Sequence, residues 1–600
     1  MSDTLKLRKD LPESVKWQPS HIYASQEKWE EDFTFVKEQT QKLAACAGTL
    51  KNGRDAVLSA LKLYAETGEH LSRLYVYTST NLNSDNSDSF YQGLYARVSS
   101  LYAQFGAAVA FMQPELLKLP KKDLKAYAAD PDFSDFDTML KDVERMRPHT
   151  LSTEMETLIA SAHEVLDAPG NIYDMLTDVD MSLGKVKDES GKLVELTHAR
   201  FGSMLESKER TVRKAAYERM MKAYAAYGST FAASYAANVK GDVFQARAHG
   251  YSSAREAALY PDDIPVSVYD NLLKAVHDAI PTLNAYCAMR KQAFDLPTVH
   301  MYDLYVPMAK DFDAKLSFDE AYDLLLEAVA PLGKDYQDVV REAKTAGWID
   351  VYETPNKTTG AYSNGGAYGV HPYVLLNYRT ELDGLLTLAH EMGHAMHSYF
   401  SNKTQPFAKS DYTIFVAEVA STCNEVLTIQ YLRKKYAGNK AAQIALIGRL
   451  LEGFRTTVFR QTMFAEFEMK AHAMEEAGQP LTRESLSEMY YGLNKLYYGG
   501  GCRVDKVVEN EWMRIPHFYR SFYVYKYATG FCAAVALADR VLNGGEEAVA
   551  AYRKFLTLGG SMSPIEELKV AGVDMSTPQP VESALDFFAS LLADFSEMMG

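Results

Sequence analysis

Two histidines and a glutamate at a fixed spacing form the stretch of this 600-residue chain with the clearest chemical meaning. The residues His390-Glu391-Met-Gly-His394 form an H-E-x-x-H pattern. On a helix, a spacing of four residues places both imidazoles on one face, about one turn apart, so both can reach a single metal ion. Zinc suits such a site best, and the intervening glutamate is then placed as a general base. We therefore predict that His390 and His394 bind zinc and that Glu391 is catalytic.

The residues around this pattern predict the helix that it needs. Thr380 followed by Asp383 indicates a helix start. Apolar residues then recur at helical spacing and predict the face that packs into the core. These residues are Leu385, Leu388, Met392, Met396 and Tyr399. Gly393 costs a helix about 1 kcal/mol relative to alanine, which suggests that something approaches the backbone closely at this position.

A catalytic zinc site needs a third protein ligand and one open position for water. The segment Phe415-Val-Ala-Glu418-Val-Ala-Ser421-Thr-Cys-Asn-Glu425 has a helical pattern, and its two glutamates lie seven residues apart on one face. We predict that Glu418 is the third ligand. We further predict that Glu425 accepts the remaining N–H of a ligand histidine and thereby fixes the tautomer of that histidine.

A structural zinc site in a helical peptide-binding scaffold is the alternative from a different functional class. Such a site is usually closed by four protein ligands, and His397 is available as the fourth because it lies three residues after His394. Cys423 also lies near the predicted ligand segment, but we interpret it as a small buried thiol.

The composition indicates which partners the protein binds and in which cellular compartment it lies. The net charge is −16 and no basic run could neutralise phosphates, which argues against a nucleic acid or an anionic membrane as partner. The first residues lack the apolar core of a signal peptide, and no stretch approaches the length of a membrane span. The five cysteines are far apart and form no C-x-x-C pair, as is typical of a reducing compartment. We therefore expect a cytoplasmic protein.

Helical patterns dominate the chain and place the motif residues on long helices. The predicted helices run from Ser25 to Val36, Arg54 to Thr80, Ser87 to Met112, Arg200 to Tyr227, Thr230 to His249, Val266 to Phe294, Val416 to Lys435, Ala441 to Met474, Thr482 to Tyr497, Tyr519 to Leu542, and onward from Val581. A soft boundary near residue 200 separates a helical N-terminal region, residues 1–199, from a catalytic region, residues 200–600.

A few strands are predicted among these helices. Alternating residues around an Asp-Glu-Ser-Gly turn predict a β-hairpin from Lys185 to Leu196. Strands are also predicted from Val299 to Val306 and from Pro372 to Tyr378, the latter leading into the motif helix. A glycine-rich segment, Gly360 to Gly369, precedes it and is interpreted either as part of the sheet or as a loop. We expect a small sheet beside the metal helix, whose edge can receive an extended substrate.

Three motifs together resemble the thimet-oligopeptidase family of zinc metallopeptidases, in particular its oligoendopeptidase F branch. They are His390-Glu-Met-Gly-His394, the segment Phe-Val-Ala-Glu418 with Ser421 and Glu425, and His517-Phe-Tyr-Arg-Ser-Phe-Tyr-Val-Tyr-Lys-Tyr527-Ala-Thr-Gly. The resemblance covers roughly residues 200 to 590. It implies a mostly helical, clam-like protein with a deep substrate channel, one zinc ion on the channel floor, and cleavage of short peptides only.

The resemblance also implies roles for residues late in the chain. A histidine and tyrosines that match the segment from His517 to Tyr527 contact the substrate carbonyl and the oxyanion. We assign oxyanion stabilisation to His517 and Tyr527, and substrate binding to Tyr519 and Tyr523. A helix from Tyr519 would place these three tyrosines on one face. Tyr525 is the competing candidate, and Arg520 stands where the family pattern has a tyrosine.

Within the enzymes, a peptidyl-dipeptidase or metallocarboxypeptidase on the same framework is the second interpretation. Such an enzyme needs a cationic or backbone group to hold the terminal carboxylate of its substrate. Arg503, Arg514 and Arg520 are the candidates in the sequence.

Overall fold

The computed structural model describes residues 5–308 and 315–599, which form mainly helices. The chain divides into two compact units, and each unit consists of three chain segments. The first unit contains Met1–Pro148, Asp313–Lys434 and Ala534–Val573, and the second contains His149–Phe312, Lys435–Ala533 and Asp574–Gly600. These units do not follow the boundary predicted near residue 200, which remains a prediction about the sequence.

The first unit is built mainly from helices that bury apolar side chains in separate clusters. Its α-helices are Gln26–Ala44, Arg54–Ser84, Ser89–Val109, Met112–Lys118, Lys121–Ala128, Asp137–Met146, Phe318–Ala328, Lys334–Thr345, Leu382–Thr404, Phe407–Ser410, Ile414–Lys435, Gly545–Phe555 and Pro564–Val570. One cluster joins the first three long helices through Trp29, Val36, Leu71 and Leu101. A second cluster extends from Leu61 to the shorter helices that follow.

A three-stranded sheet lies beside one of these helices, Leu382–Thr404. The central strand Tyr373–Leu375 pairs in parallel with Ile349–Asp350 and antiparallel with Tyr362–Asn364. The central strand is buried on both faces, as its Tyr-Val-Leu sequence favours. The strands Tyr362–Asn364 and Tyr373–Leu375 pack against this helix. The predicted sheet beside the motif helix is therefore confirmed, and the glycine-rich segment supplies its edge strand.

The second unit is also helical. Its α-helices are Thr153–Asp174, His198–Leu205, Arg210–Ala225, Gly228–Ala248, Ala254–Leu259, Val266–Asp278, Ile280–Ala293, Lys440–Gly453, Arg460–Glu476, Arg483–Tyr498 and Gln579–Met599. The helix Tyr525–Asn543 begins in this unit and ends in the first. Strands Lys185–Lys187 and Leu193–Glu195 form the predicted hairpin.

Several predicted elements differ from the structure. The predicted strand from Val299 to Val306 is wrong, because a short 3-10 helix occupies Met301–Asp303. The predicted helix from Tyr519 to Leu542 begins only at Tyr525. Three other long predicted helices, from Arg200, Val266 and Ala441, are each interrupted once. These breaks lie between Leu205 and Arg210, at Ala279 before Pro281, and in the π-helix Phe454–Phe459.

No helix in the described part of the chain combines the length and the apolar character that crossing a membrane requires. The expected mostly α-helical fold class is confirmed, with only small sheets beside the helices.

Candidate active site and metal centre

The helix Leu382–Thr404, which we call the motif helix, carries the H-E-x-x-H residues. It begins after Glu381 rather than at the predicted Thr380, and no side chain caps it. The predicted apolar stripe is buried, except that Tyr399 at its end is only half-buried. Packing of this stripe leaves His390 and His394 together on the half-buried side of the helix.

The helix Ile414–Lys435, which we call the glutamate helix, packs against the motif helix at very short range. A Cβ atom on Gly393 would lie 2.6 Å from the carbonyl oxygen of Ala420. The side-chain amide of Asn424 donates a hydrogen bond of 3.2 Å to the backbone carbonyl of Ala389. Asn424 also accepts a bond of 3.3 Å from Tyr336. The close approach predicted at Gly393 is thus made by the helix that carries Glu418.

Three side chains from these two helices converge on one point. The Nε2 atoms of His390 and His394 are 3.2 Å apart. The Oε2 atom of Glu418 lies 3.3 Å from the first and 3.4 Å from the second. These three residues form the group in the described chain whose ligand atoms could hold a metal ion.

This donor set fits a zinc ion. Tetrahedral zinc bonds of about 2.0–2.1 Å place neighbouring ligand atoms about 3.3 Å apart. The three measured separations lie close to that value, and the set of two imidazoles and one carboxylate is a known catalytic zinc combination. The side chains therefore suit tetrahedral coordination with a fourth position left for another ligand.

Glu425 holds the first histidine in place. The Nδ1–H of His390 donates a hydrogen bond of 2.6 Å to Oε1 of Glu425. With the hydrogen on Nδ1, the neutral form of the ring directs its Nε2 lone pair at the cluster. The predicted contact between Glu425 and a ligand histidine is present in the structure.

The electrostatics of the cluster favour a cation. Burial acts to lower the pKa of His390, but hydrogen bonds to Glu418 and Glu425 outweigh it and raise that pKa to about 10. Burial acts to raise the pKa of Glu418, but the two histidines hold it well below its usual range. A metal ion needs neutral imidazoles, so its binding would replace a proton at this cluster.

Glu391 lies on the same helix and is only 6% exposed. Burial raises the pKa of its carboxyl group, and the charges of His390 and His394 offset part of that rise. Its Oε2 atom is buried without a hydrogen-bond partner among the described residues. An unsatisfied carboxylate oxygen beside a metal-binding group is suited to accept a proton from a reacting molecule.

His397, the fourth ligand of the structural-zinc alternative, and Cys423 both lie outside the cluster. His397 is buried, and its ring stacks on Tyr412 with a centroid distance of 3.8 Å. Burial and the neighbouring His394 lower its pKa to about 3. Cys423 is also buried, as predicted. The described residues therefore provide three ligands at this group rather than a closed set of four.

In the second unit, three of the late residues lie together. The hydroxyl of Tyr527 is 3.4 Å from Nε2 of His517. The ring of Tyr523 lies 5.4 Å from that of Tyr527 and 6.2 Å from that of His517. All three are partly exposed. Burial and the charge of Arg520 lower the pKa of His517, so its imidazole is neutral near pH 7.

The other two tyrosines pack elsewhere in this unit. Tyr519 lies in the 3-10 turn Pro516–Tyr519, and its ring packs 4.6 Å from Tyr173. Tyr525 is buried against Tyr269. The prediction that Tyr519, Tyr523 and Tyr527 share one helical face is wrong, because only the last of them lies within the helix.

The three arginines considered as carboxylate clamps differ in their surroundings. Arg503 is 71% exposed and lies 3.8 Å from Asp505. Arg514 lies 3.4 Å from Glu511 and over the ring of Phe201. Arg520 is exposed and close to His517 in sequence.

The sequence matches two family descriptions. Residues 203–587 match Peptidase family M3, and residues 115–182 match Oligopeptidase F. Oligopeptidase PepF of Bacillus subtilis is 42% identical over 593 residues, which cover 99% of this chain and 88% of the relative. Group B oligopeptidase PepB of Streptococcus agalactiae is 37% identical over 600 residues, which cover 100% of this chain and 99% of the relative.

The fold of this chain is also similar to that of solved structures. A crystal structure of a protein from Chlamydophila abortus has a TM-score of 0.92 and 33% identity, and the match covers 99% of this chain and all of that one. The crystal structure of oligoendopeptidase-F from Enterococcus faecium has a TM-score of 0.73 and 34% identity, and the match covers 95% and 99% of the two chains. The chain therefore belongs to peptidase family M3, in its oligoendopeptidase F branch, and is a metalloendopeptidase.

Proposed function

We propose that this metalloendopeptidase hydrolyses internal bonds of short oligopeptides and uses one zinc ion held by His390, His394 and Glu418. The observation that carries the proposal is the convergence of their three donor atoms within 3.4 Å beside a buried glutamate. When bound there, zinc would acidify a water molecule and polarise the scissile carbonyl group. Cobalt and manganese also bind two nitrogens and one carboxylate, so zinc is proposed as the default metal.

Glu391 is the proposed general base. Its buried Oε2 atom has no competing partner among the described residues, which supports a role in accepting a proton from the attacking water. The same carboxyl group then delivers that proton to the nitrogen of the departing amine. One glutamate can do both because a carboxylate that has accepted a proton is itself a general acid.

Glu425 is proposed to orient a metal ligand. Its bond to Nδ1–H of His390 fixes the tautomer and the ring plane, and it adds negative charge behind the imidazole. A more basic Nε2 binds a divalent cation more strongly. Asn424, from the same helix, would keep the two helices in register through its bond to Ala389.

His517 and Tyr527 are proposed to stabilise the oxyanion of the tetrahedral intermediate. Their polar atoms lie 3.4 Å apart, and both side chains are partly exposed, which supports joint contact with one substrate oxygen. Tyr523 packs against both rings and is proposed to contact the substrate. The substrate-binding role predicted for Tyr519 has less support, because its ring packs against Tyr173 and Tyr235.

The substrate class is proposed from the relatives. Their names describe oligopeptidases and oligoendopeptidases, and the matches cover at least 99% of this chain. We propose that short peptides are the partners and that the protein acts in the cytoplasm. The five free cysteines support a reducing compartment.

Replacement of the proposed base tests this assignment. Glu391→Gln should abolish peptide turnover while the purified protein still contains one zinc ion per chain, as measured by elemental analysis. Glu342→Gln is a matched control, because Glu342 is exposed on another helix of the same unit. Turnover retained in the Glu391 variant would overturn the role of this residue.

A further inference from the structure

The segment that carries the proposed oxyanion residues has an unusual backbone. Phe522 lies between the turn Pro516–Tyr519 and the helix Tyr525–Asn543, and its φ is 58°. A bulky aromatic residue rarely adopts this left-handed conformation, because its Cβ atom crowds the backbone. Such a residue persists only where the surrounding structure holds it in place. The contacts of Phe522 and its neighbour Ser521 therefore show what fixes this segment.

One of these contacts is a buried carboxyl group. Glu468, on the helix Arg460–Glu476, is fully buried, and its Oε1 atom accepts a hydrogen bond of 3.2 Å from the backbone N–H of Phe522. Its Oε2 atom has no hydrogen-bond partner among the described residues. Burial raises the pKa of Glu468 well above its usual range despite this bond, and the charge of Asp242 adds to the rise. Burial therefore favours the neutral form of this carboxyl group, which avoids the cost of a buried charge.

A second set of contacts holds the neighbouring residue. The hydroxyl of Ser521 donates a hydrogen bond of 2.6 Å to Oδ2 of Asp242, which belongs to the helix Gly228–Ala248. The same oxygen lies 3.2 Å from Nε2 of the buried His472. Asn238 donates to both Asp242 and Ser521. Two helices of the second unit thus hold adjacent residues of one segment through directed polar bonds.

The ring of Phe522 completes this attachment. It is buried between His472, at a centroid distance of 4.6 Å, and Tyr269, at 6.1 Å. A glycine would adopt the left-handed backbone without strain, but it would leave this space empty. The buried ring and the polar bonds together constrain the backbone of this segment. Tyr523 follows directly, and Tyr527 lies in the first turn of the helix.

We propose that Glu468 and Asp242 are positioning residues that hold Phe522 and Ser521 so that His517, Tyr523 and Tyr527 keep their mutual geometry for substrate. This inference rests on the proposed function of His517 and Tyr527. Neither acid touches the reacting atoms. Each acts through the segment Arg520–Val524, whose displacement by about 1 Å can lower a rate by about 100-fold.

Two substitutions of Glu468 distinguish the effect of its hydrogen bond to Phe522 from the effect of its side-chain volume. Glu468→Gln keeps an oxygen that can accept from the N–H of Phe522, so its kcat should stay within about 3-fold of the wild-type value. Glu468→Met keeps a similar volume but has no oxygen, and we expect kcat to fall about 10-fold to 100-fold with KM within about 3-fold. Zinc content should be unchanged in both variants, because the proposed ligands lie in the first unit.

Ser521→Ala provides a second variant with a smaller packing change. It removes the donor to Asp242 but leaves that carboxylate bonded to His472 and Asn238. We expect kcat to fall about 3-fold to 10-fold, and the thermal midpoint to change little. This variant decides the matter if Glu468→Met does not fold. A folded Glu468→Met protein with wild-type kcat would overturn the inference. If that variant does not fold, wild-type kcat in Ser521→Ala would overturn it.

A double-mutant cycle then tests whether Glu468, or Ser521 in its place, acts through the oxyanion residues. In a Tyr527→Phe background, the Glu468→Met change should lower kcat by a smaller factor than it does in the wild type, because one of the groups that Glu468 positions is already absent. If the fold-losses in kcat of the two single variants multiply in the double variant, the positioning role is overturned and the proposed function is left intact. If Tyr527→Phe and His517→Ala alone leave kcat unchanged, both the oxyanion assignment and this inference fail.

Discussion

Gly393 and Ser421 touch backbone to backbone. A Cβ atom on Gly393 would lie 2.5 Å from Cα of Ser421 and 2.8 Å from its nitrogen, which is closer than real Cβ atoms come to such atoms. The contact lies next to His394 in the chain and one turn from Glu418. The spacing of the proposed metal ligands therefore depends on the absence of a Cβ atom at position 393.

Gly393→Ala should accordingly weaken both metal binding and stability. The clash involves backbone atoms that cannot rotate away, so the two helices must separate, and we expect a loss of at least about 2 kcal/mol in unfolding free energy. Gly93→Ala is the matched control, because Gly93 is also helical but nothing lies within 4 Å of its missing Cβ. That control should gain up to about 1 kcal/mol. Equal thermal midpoints and equal zinc affinities for the two variants would contradict this account.

Glu425 should contribute to metal affinity without being a ligand. Glu425→Ala removes the acceptor for Nδ1–H of His390, and we expect zinc affinity to fall about 10-fold to 100-fold. Glu425→Gln retains an oxygen acceptor and should lose less. Competition with a zinc chelator measures both affinities. An alanine variant with wild-type affinity would show that the bond in the structure does not tune the metal site.

Tyr527 and Tyr525 should respond differently to removal of their hydroxyl groups. Tyr527→Phe should lower kcat by roughly 100-fold with little change in KM, as expected for loss of one oxyanion donor. Tyr525→Phe should leave kcat near the wild-type value, because Tyr525 is buried against Tyr269. Steady-state kinetics on one peptide compares them. A larger loss in the Tyr525 variant would move the oxyanion role to that residue.

The buried Glu567 should make stability depend on pH. Burial raises the pKa of its carboxyl group from 4.5 to about 8. Between these values the folded state binds more protons than the unfolded state, so stability falls as the pH rises. Glutamine cannot ionise, so Glu567→Gln should be more stable than the wild type above about pH 8, by up to roughly 5 kcal/mol. Thermal midpoints measured from about pH 5 to about pH 9 check this; a constant difference across that range would contradict the shift.

Short-range pattern was enough to predict the metal-binding group. The four-residue spacing of His390 and His394 and the seven-residue spacing of Glu418 and Glu425 each depend only on helix geometry, and the structure brings these side chains together as predicted. Gly393 gave a further indication, because a helical glycine suggested close approach. The roles of these residues in catalysis remain a prediction.

Other features depend on tertiary contacts that leave no periodic signal. Phe522 interrupts an otherwise helical pattern by adopting a left-handed backbone, and nothing in its residue type indicates this. The bond from Asn424 to Ala389 and the buried carboxyl of Glu468 likewise exist only after distant segments meet. The strand predicted from Val299 fails for a similar reason, because the side chains of His300 and Asp303 cap a 3-10 turn.

Mass spectrometry of peptides of graded length, together with a folded protein, tests the central claim most directly. The purified enzyme should cleave short peptides at internal bonds, leave the folded protein intact, lose this activity on chelation, and regain it when zinc is added. Peptides with blocked C-termini should be cleaved equally well. Absence of cleavage by the zinc-loaded protein, or stepwise release of dipeptides that requires a free C-terminus, would contradict the account.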